Sequence, residues 1–404
     1  INLAPEAAAY HRDLGHLFYV LGDAESAVES LQTAVSLDLS DAKAHEWLGE
    51  IWEYQAVGDP SYLEEALYEY RQAADLAPPV ARHQRAYGRV LRKLGRFEEA
   101  IKALLKALNV DSEDAESHYE LGLALEAQKR YQEARSHYQD AIALAPERTR
   151  YRVRLGTVWR KIALQARRLQ RTGLDREAAW GDGLGPEGYE EGIASLRTAA
   201  ELGVDSPALH AELGALLFLG GHLDEAIPKL RRALEAAPED PLHHRVLGMA
   251  YRAIEDYDGS LRELRMAESL EPESAETQYE LALTLEQMDE RQGMSTDQER
   301  EMETERSQEE VLELLGKATR LDPSCAVYQY ALGQRLLKQG RYDQARMALE
   351  RAVELKPGMA AWYGTLGDLY TGQACYDMAL EQYSRALESR PEDVAYLHRA
   401  ALAY

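Results

Sequence analysis

Apolar side chains recur three and four positions apart along nearly the whole chain, with polar residues between them. This spacing places the apolar groups on one face of an α-helix and predicts a succession of short amphipathic helices. Residues 115–146 show the pattern well. They predict one helix over about 115–128, a tight turn at Lys129-Arg130 and a second helix over about 131–144, before Pro146 ends the unit.

The pattern is periodic. A small residue occupies one fixed place in every unit, and seven of the ten gaps between successive occurrences are 34 residues long. A fixed period of this size predicts a solenoid of stacked helical pairs. The small residues are Gly15, Gly49, Gly88, Gly122, Gly156, Gly214, Gly248, Ala282, Gly333, Gly367 and Ala401.

A second small position confirms the unit and carries a family resemblance. An alanine recurs near the end of the second helix in each of the ten repeats, from Ala34 to Ala386. Seven repeats then end in proline. The run Trp47-Leu48-Gly49-Trp52-Ala66-Tyr70-Ala73-Pro78 closely resembles the tetratricopeptide repeat. The resemblance covers essentially all 404 residues and implies an all-α, right-handed superhelical solenoid of about ten helical hairpins with partial terminal repeats.

The period divides the chain into one elongated domain of repeats. The ends match only parts of a repeat and show no polar capping helix, so we expect a longer polypeptide, with disordered tails as the alternative. The predicted repeats are 8–41, 42–80, 81–114, 115–148, 149–206, 207–240, 241–274, 275–325, 326–359 and 360–393, with partial repeats at 1–7 and 394–404.

Three repeats are longer than the rest. The extra residues lie near 57–61, 163–186 and 288–306, each between the first and second helix of its repeat. In repeat five they extend a basic first helix, and in repeat eight they lengthen the whole hairpin. Insertions at one edge of a solenoid often mark a binding surface, although surface loops also tolerate insertion without function.

Composition narrows the class of protein. The formal net charge is −24, which repels phosphate backbones and argues against nucleic acid as a ligand. No stretch of 18 apolar residues occurs, and Ile1 to Ala9 lack the features of a signal peptide. The only two cysteines, Cys325 and Cys375, fall in no paired motif, so we expect a cytoplasmic location.

The family resemblance implies that the first helix of each repeat lines an inner groove that touches ligands. Arginine is concentrated there in repeats three and five, and apolar side chains in repeats six and seven. We expect this groove to bind an acidic and hydrophobic segment. The candidate residues are Arg82, Arg85, Arg89, Arg92, Arg150, Arg154, Lys161, Arg168, Ala215, Phe218, Leu219, Arg245, Met249 and Arg252.

Two interpretations of these arginines remain open. In one they pair with glutamates of repeats two and four, namely Glu46, Glu50, Glu53, Glu116 and Glu126, as charges on solvated helix faces commonly do. In the other they form a docking site, because an arginine fork binds a carboxylate with two hydrogen bonds. The apolar side chains likewise have a packing alternative.

Local sequence indicates no catalytic residues, no metal site and no cofactor. Five histidines, among them His118 and His244, share one repeat position that the family fills with large packing residues. We therefore expect a non-catalytic scaffold or adaptor that binds a protein or peptide partner. The alternatives are the recognition arm of a larger enzyme and a structural component that self-associates through its uncapped ends.

Overall fold

The computed structural model describes residues 4–171, 187–292 and 298–404, and every regular element in these ranges is an α-helix. The first helices are α1 (Ala4–Val20), α2 (Ala24–Leu37), α3 (Ala42–Gln55), α4 (Tyr62–Leu76), α5 (Ala81–Lys93), α6 (Phe97–Val110), α7 (Ala115–Ala127) and α8 (Tyr131–Leu144). They are followed by α9 (Thr149–Arg171), α10 (Glu187–Glu201), α11 (Pro207–Gly220), α12 (Leu223–Ala236), α13 (Pro241–Ala253), α14 (Tyr257–Leu270) and α15 (Ala275–Gln292). The last are α16 (Gln298–Leu321), α17 (Ala326–Lys338), α18 (Tyr342–Leu355), α19 (Ala360–Gly372), α20 (Tyr376–Ser389) and α21 (Val394–Ala403).

Helices such as α3 and α4 pack together as a hairpin, and second helices such as α4 and α6 also pack on the first helix of the next hairpin. The predicted all-α array of helical hairpins is therefore confirmed. Small residues allow the two helices of a hairpin to approach closely. The alanine near the end of the second helix has no exposed surface in any of the ten repeats, from Ala34 to Ala386. Apolar side chains are thus buried both within hairpins and between neighbouring repeats, as expected of a solenoid.

The chain divides into two compact units, residues 1–159 (unit 1) and residues 160–404 (unit 2), and the boundary falls within α9. In unit 1 one core cluster joins the first two repeats through Leu31, Leu48 and Ile51, all fully or almost fully buried. In unit 2 a larger cluster gathers aromatic side chains, including Trp362, Tyr370 and Tyr383. Across the described ranges, no helix combines the length and the apolar character needed to cross a lipid bilayer.

Two of the three lengthened repeats have lengthened helices. The first helix of repeat five, α9, has 23 residues, and the two helices of repeat eight, α15 and α16, have 18 and 24. At residues 57–61 the chain makes turns before α4 begins. Residues 172–186 and 293–297 of the predicted insertions lie outside the described residues. A binding role for this edge stays a prediction.

The turn inside the hairpin has one demanding backbone position, seven residues after the repeat glycine. Glycine fills it with positive φ at Gly22, Gly95, Gly221 and Gly340. In three repeats a residue with a side chain adopts the same conformation, namely Lys129, Glu255 and Ala374, with φ between 60° and 62°. Left-handed backbone costs a residue with a Cβ atom roughly 1–2 kcal/mol relative to glycine.

Replacing Lys129 with glycine is therefore expected to raise the free energy of unfolding by about 1 kcal/mol. Lys129 is exposed, so its side chain contributes little packing. Lys106 is also exposed but lies inside α6, where glycine should instead cost about 1 kcal/mol of helix propensity. Urea denaturation followed by circular dichroism measures both changes. Opposite signs support this account of the turn, and a loss of stability in both variants contradicts it.

Candidate functional site

The first helices of repeats two to five carry charges whose sign alternates from one helix to the next. In α3 and α7 the charged residues concerned are acidic, whereas α5 and α9 contain no acidic residue at all. Neighbouring first helices are joined by ion pairs between residues 28–40 positions apart. We call this array within unit 1 the charge ladder: Glu46, Glu53, Arg82, Arg85, Arg89, Arg92, Lys93, Asp114, Glu116, Glu120, Glu126, Arg150 and Arg154.

Glu53 is the best-connected carboxylate of the ladder. Arg89 donates to it with two nitrogens, at 2.9 and 2.6 Å, and Lys93 donates at 2.7 Å. The hydroxyl of buried Tyr70 donates to it at 3.0 Å. Burial alone would raise the pKa of Glu53, but the hydrogen bonds and charges of Arg89 and Lys93 outweigh it and lower that pKa. Glu53 is thus held ionised inside the array.

Glu50 lies one turn before Glu53 and behaves differently. Burial, together with the nearby charge of Glu46, raises its pKa, although the positive charge of Arg89 opposes the change. The prediction that Glu50 pairs with an arginine therefore has less support than the same prediction for Glu46 and Glu53. The surroundings of Glu50 disfavour its ionised form, whereas Glu46 and Glu53 each form an ion pair with an arginine.

The remaining cations of α5 each reach a carboxylate on a neighbouring first helix. Arg82 donates to Glu46 at 2.6 Å, and Arg92 donates to Glu120 at 2.9 Å. Arg85 pairs with Asp114, the residue that also caps the start of α7. The carboxylates are buried or nearly so, whereas the side chain of Arg82 is 51% exposed. One end of the Arg82–Glu46 pair therefore faces solvent.

Repeat five contributes two further exposed arginines. Arg150 pairs with Glu116, and its guanidinium lies about 5 Å from the ring centres of Tyr119 and Tyr151. The nearest nitrogen of Arg154 lies 3.9 Å from Glu126, which accepts a hydrogen bond from Tyr138 at 2.7 Å. The side chains of Arg150 and Arg154 are 49% and 46% exposed. Their guanidinium groups are thus held in place by aromatic and acidic neighbours while remaining accessible.

The other predicted residues of α9 fall beyond unit 1. Lys161 is half-buried, and beside it Arg160 donates to Glu212 of α11 in a two-nitrogen contact, at 3.1 Å for Nη2. Arg168 belongs to α9, but its side chain lies outside the described residues. The predicted site that joins the basic helix of repeat five to repeats six and seven spans residues of both units and stays a prediction.

The apolar part of the predicted site lies in unit 2 and is largely covered. Ala215 and Phe218 of α11 are 7% and 9% exposed, and Leu219 and Met249 are half-buried. These side chains contribute mainly to packing between helices. Because so little of their surface is exposed, they offer a partner less apolar contact area than the sequence pattern suggests.

Two arginines of α13 continue the pairing in unit 2. Arg245 donates to Ser274 at 2.9 Å and pairs with Glu276 at 2.9 Å. Arg252 pairs with Glu280 and donates to the backbone carbonyl of the same residue at 3.0 Å. Their side chains are only 15% and 10% exposed, so these two arginines mainly link α13 to α15.

The arginines therefore have the carboxylate neighbours that the first interpretation describes. Sequence reasoning placed Glu46, Glu53, Glu116 and Glu126 in the paired set, but it missed Asp114 and Glu120. The sequence does place each of these two acidic residues slightly less than one repeat after the arginine that it pairs with. A role in partner binding for the candidate residues is compatible with such pairs and stays a prediction.

A separate polar cluster lies between α7 and α8. Ligand atoms of His118, His137 and Asp140 all lie within 4.8 Å of one another. Burial and the neighbouring His118 lower the pKa of His137. Sequence reasoning assigned His118 to packing and did not consider His137, because the two are 19 residues apart and share no motif.

Two models of the tetratricopeptide repeat match the sequence. One matches residues 12–81, 85–149 and 187–241, and the other matches residues 336–403. Together they match more than half of the chain. The sequence has no match among curated proteins.

Solved structures are similar to this chain, and one of them, with a TM-score above 0.5, shows the same fold. The human IFIT1 dimer with m7Gppp-AAAA is 17% identical, with 90% of this chain and 81% of that chain covered and a TM-score of 0.53. TTC0263, a thermophilic TPR protein in Thermus thermophilus, is 25% identical, with 49% of this chain and 98% of that chain covered and a TM-score of 0.38. These likenesses concern the architecture and carry no ligand over to this chain.

Proposed function

This chain belongs to the tetratricopeptide repeat family, and on that premise we propose that it is a non-catalytic interaction scaffold whose charge ladder binds an acidic segment of a partner protein. Repeats of this family support protein interaction in general. The finer proposal, an acidic ligand on the first helices of unit 1, depends on the accessible arginines of the ladder. It is carried by one observation: Arg82, Arg150 and Arg154 are about half exposed while their carboxylate partners are mostly buried.

The donor capacity of these arginines supports the proposal. A guanidinium has five N–H donors in a fixed fork, and one neighbouring carboxylate engages at most a few of them. In the Arg82–Glu46 pair a single hydrogen bond joins the two side chains. An arginine that is held by one carboxylate and exposed on its other side can donate hydrogen bonds to a second carboxylate. Because its side chain is already ordered, the entropic cost of binding is reduced.

The local charge supports it too. The chain as a whole carries a net charge of −24, yet α5 and α9 contain no acidic residue. Carboxylates of the neighbouring acidic helices hold the arginines in position, and these ion pairs partly neutralise the charge of the arginines. The ligand that this surface favours is therefore a peptide that brings several carboxylates together, and its affinity should fall as salt screens the interaction.

The test compares two triple variants with the same change in charge. Arg82→Gln, Arg150→Gln and Arg154→Gln together remove the three most exposed cations of the ladder. Arg71→Gln, Arg96→Gln and Arg130→Gln together remove three arginines that are 66%, 42% and 40% exposed and lie outside it. The probe is a fluorescein-labelled 16-residue peptide of glutamate with interspersed leucine, and binding is read as fluorescence anisotropy.

We expect the ladder variant to bind this peptide at least about tenfold more weakly, a loss of about 1.4 kcal/mol, and the control to bind as the unmodified chain does. Circular dichroism checks that both variants remain folded. Equal affinity in all three proteins, or an equal loss in both variants, refutes the ladder as the binding surface.

A further inference from the structure

In two repeats the histidine that recurs at one repeat position pairs with a carboxylate of the second helix. His45 in repeat two and His244 in repeat seven both lie on the first helix of their hairpins, and each meets a glutamate of the second helix through Nδ1. The distances are 2.6 Å to Glu69 and 2.7 Å to Glu263. In repeat seven the other ring nitrogen, Nε2, lies 2.9 Å from the carbonyl oxygen of Pro238. Histidine and carboxylate thus satisfy each other across the hairpin.

Repeat four departs from this arrangement. His118 occupies the same position, and its Nε2 lies 3.2 Å from the carbonyl oxygen of Ser112. The second helix, however, presents His137 where the other two repeats have glutamate, and the two Nδ1 atoms are 3.1 Å apart. A carbonyl oxygen only accepts hydrogen bonds, so Nε2 of His118 carries the proton. In the neutral ring, Nδ1 of His118 then directs a lone pair at His137.

A carboxylate completes the cluster. Asp140 lies one helical turn after His137 on α8, and its Oδ2 is 3.6 Å from Nδ1 of His118 and 3.8 Å from Nδ1 of His137. The carboxylate therefore faces both ring nitrogens at distances longer than a hydrogen bond. Its side chain is 51% exposed, whereas those of His118 and His137 are 13% and 25% exposed.

These separations suit a metal ion. Donor atoms bound tetrahedrally to zinc at about 2.0–2.1 Å are about 3.3–3.4 Å apart. The three separations in the cluster, 3.1, 3.6 and 3.8 Å, lie on either side of that value. Two imidazoles and one carboxylate are ligands that zinc and its neighbours in the first transition series accept. The bond from His118 to a carbonyl oxygen is the outer contact that usually fixes a metal-binding histidine.

We propose that His118, His137 and Asp140 form a binding site for a divalent transition-metal ion of the zinc type. The three residues provide ligands from both helices of one hairpin, and the exposed side of Asp140 leaves the remaining coordination positions open to water. The competing explanation is a hydrogen bond in which Nδ1–H of His137 donates to Nδ1 of His118, with no ion.

Zinc titration of three proteins separates these explanations. His118→Gln introduces the residue that repeats three, eight and nine carry at the equivalent position, namely Gln84, Gln278 and Gln329, so the hairpin should tolerate it. His244→Gln makes the same change in repeat seven and is the matched control. Each version of the 404-residue chain is treated with a chelator, dialysed and titrated with Zn²⁺ by isothermal titration calorimetry.

We expect the unmodified chain and His244→Gln to bind the same number of zinc ions, and His118→Gln to lose one equivalent or bind it at least tenfold more weakly. Asp140→Asn, a change at an exposed side chain, should weaken the same equivalent if His118→Gln does not fold. Co²⁺ replaces Zn²⁺ as a spectroscopic probe, and its visible absorption should be reduced by the same two variants. Identical titrations for all the proteins, or no zinc binding at all, overturn the proposal in favour of the hydrogen-bonded pair.

Discussion

Replacing Glu53 with alanine is expected to lower the free energy of unfolding by about 3 kcal/mol, because it leaves several polar groups without their shared acceptor. Glu53 accepts two hydrogen bonds from Arg89, one from Lys93 and one from the hydroxyl of Tyr70. Tyr70 is 1% exposed, so water cannot replace the lost acceptor for it. Arg89 and Lys93 are 29% and 38% exposed, which places the effect at the lower end for a broken buried pair.

Glu133→Ala is the control for this change. Glu133 pairs with Arg130 at 2.7 Å, but both side chains are about half exposed, and exposed pairs contribute little. Urea denaturation measures global stability, and hydrogen–deuterium exchange of peptides from α3 to α5 locates the loss. We expect faster exchange there in the Glu53 variant and no local change in the Glu133 variant. Similar results for both variants contradict the view that Glu53 organises the ladder.

Gly122→Ala is expected to destabilise the chain by about 2 kcal/mol, although alanine favours a helix more than glycine does. A Cβ atom at Gly122 would lie 2.6 Å from Cε1 and 2.8 Å from Cδ1 of Tyr138. The ring is fully buried and its hydroxyl donates to Glu126 at 2.7 Å, so it has no room to move aside. Overpacking of this kind typically costs about 1–3 kcal/mol and outweighs the gain in helix propensity.

Gly372→Ala is the control for Gly122→Ala, and its expected change in stability has the opposite sign or is zero. Apart from its chain neighbours and the backbone of its own helix, no atom lies within 4 Å of the place where its Cβ would be, so alanine should leave stability unchanged or raise it by up to about 1 kcal/mol. Thermal denaturation of both variants, followed by circular dichroism, measures the difference. A Gly122→Ala variant as stable as the unmodified chain shows that the hairpin does not depend on this close approach.

The fold was predictable because the same pattern of apolar and small residues recurs in ten repeats. A helix assignment that is uncertain in one repeat is supported by the others. The helices expected over about 115–128 and 131–144 are observed as Ala115–Ala127 and Tyr131–Leu144. The spacing of small residues showed where helices touch, and Gly122 against Tyr138 is such a contact. The positive φ of Lys129 is indicated only by the glycines that other repeats have at its position, since a lysine itself gives no local sign that the turn requires a left-handed backbone.

The candidate site was predictable only in part. The concentration of arginine on α5 and α9 is visible in the sequence, but the choice of partner depends on the length and direction of each side chain. Arg85 and Arg92 turn towards Asp114 and Glu120, which a search among glutamates at the predicted groove positions does not find.

The apolar and histidine positions show the same limit. Phe218 was a candidate for the groove, with packing between helices as the alternative, and it is 9% exposed. The meeting of His118 with His137 depends on the hairpin bringing two helices together. Neither result follows from spacing along one helix, which is the information that a periodic pattern supplies.

The most direct test of the proposed function is to map where an acidic peptide touches the folded chain. A 16-residue glutamate-rich peptide carrying a photoreactive group would be cross-linked to residues 1–404 and the products identified by mass spectrometry, with a lysine-rich peptide of equal length as the control. We expect cross-links from the acidic peptide to be concentrated on α5 and α9 around Arg82, Arg150 and Arg154. Cross-links confined to the second helices, or the same map from the lysine-rich peptide, contradict it.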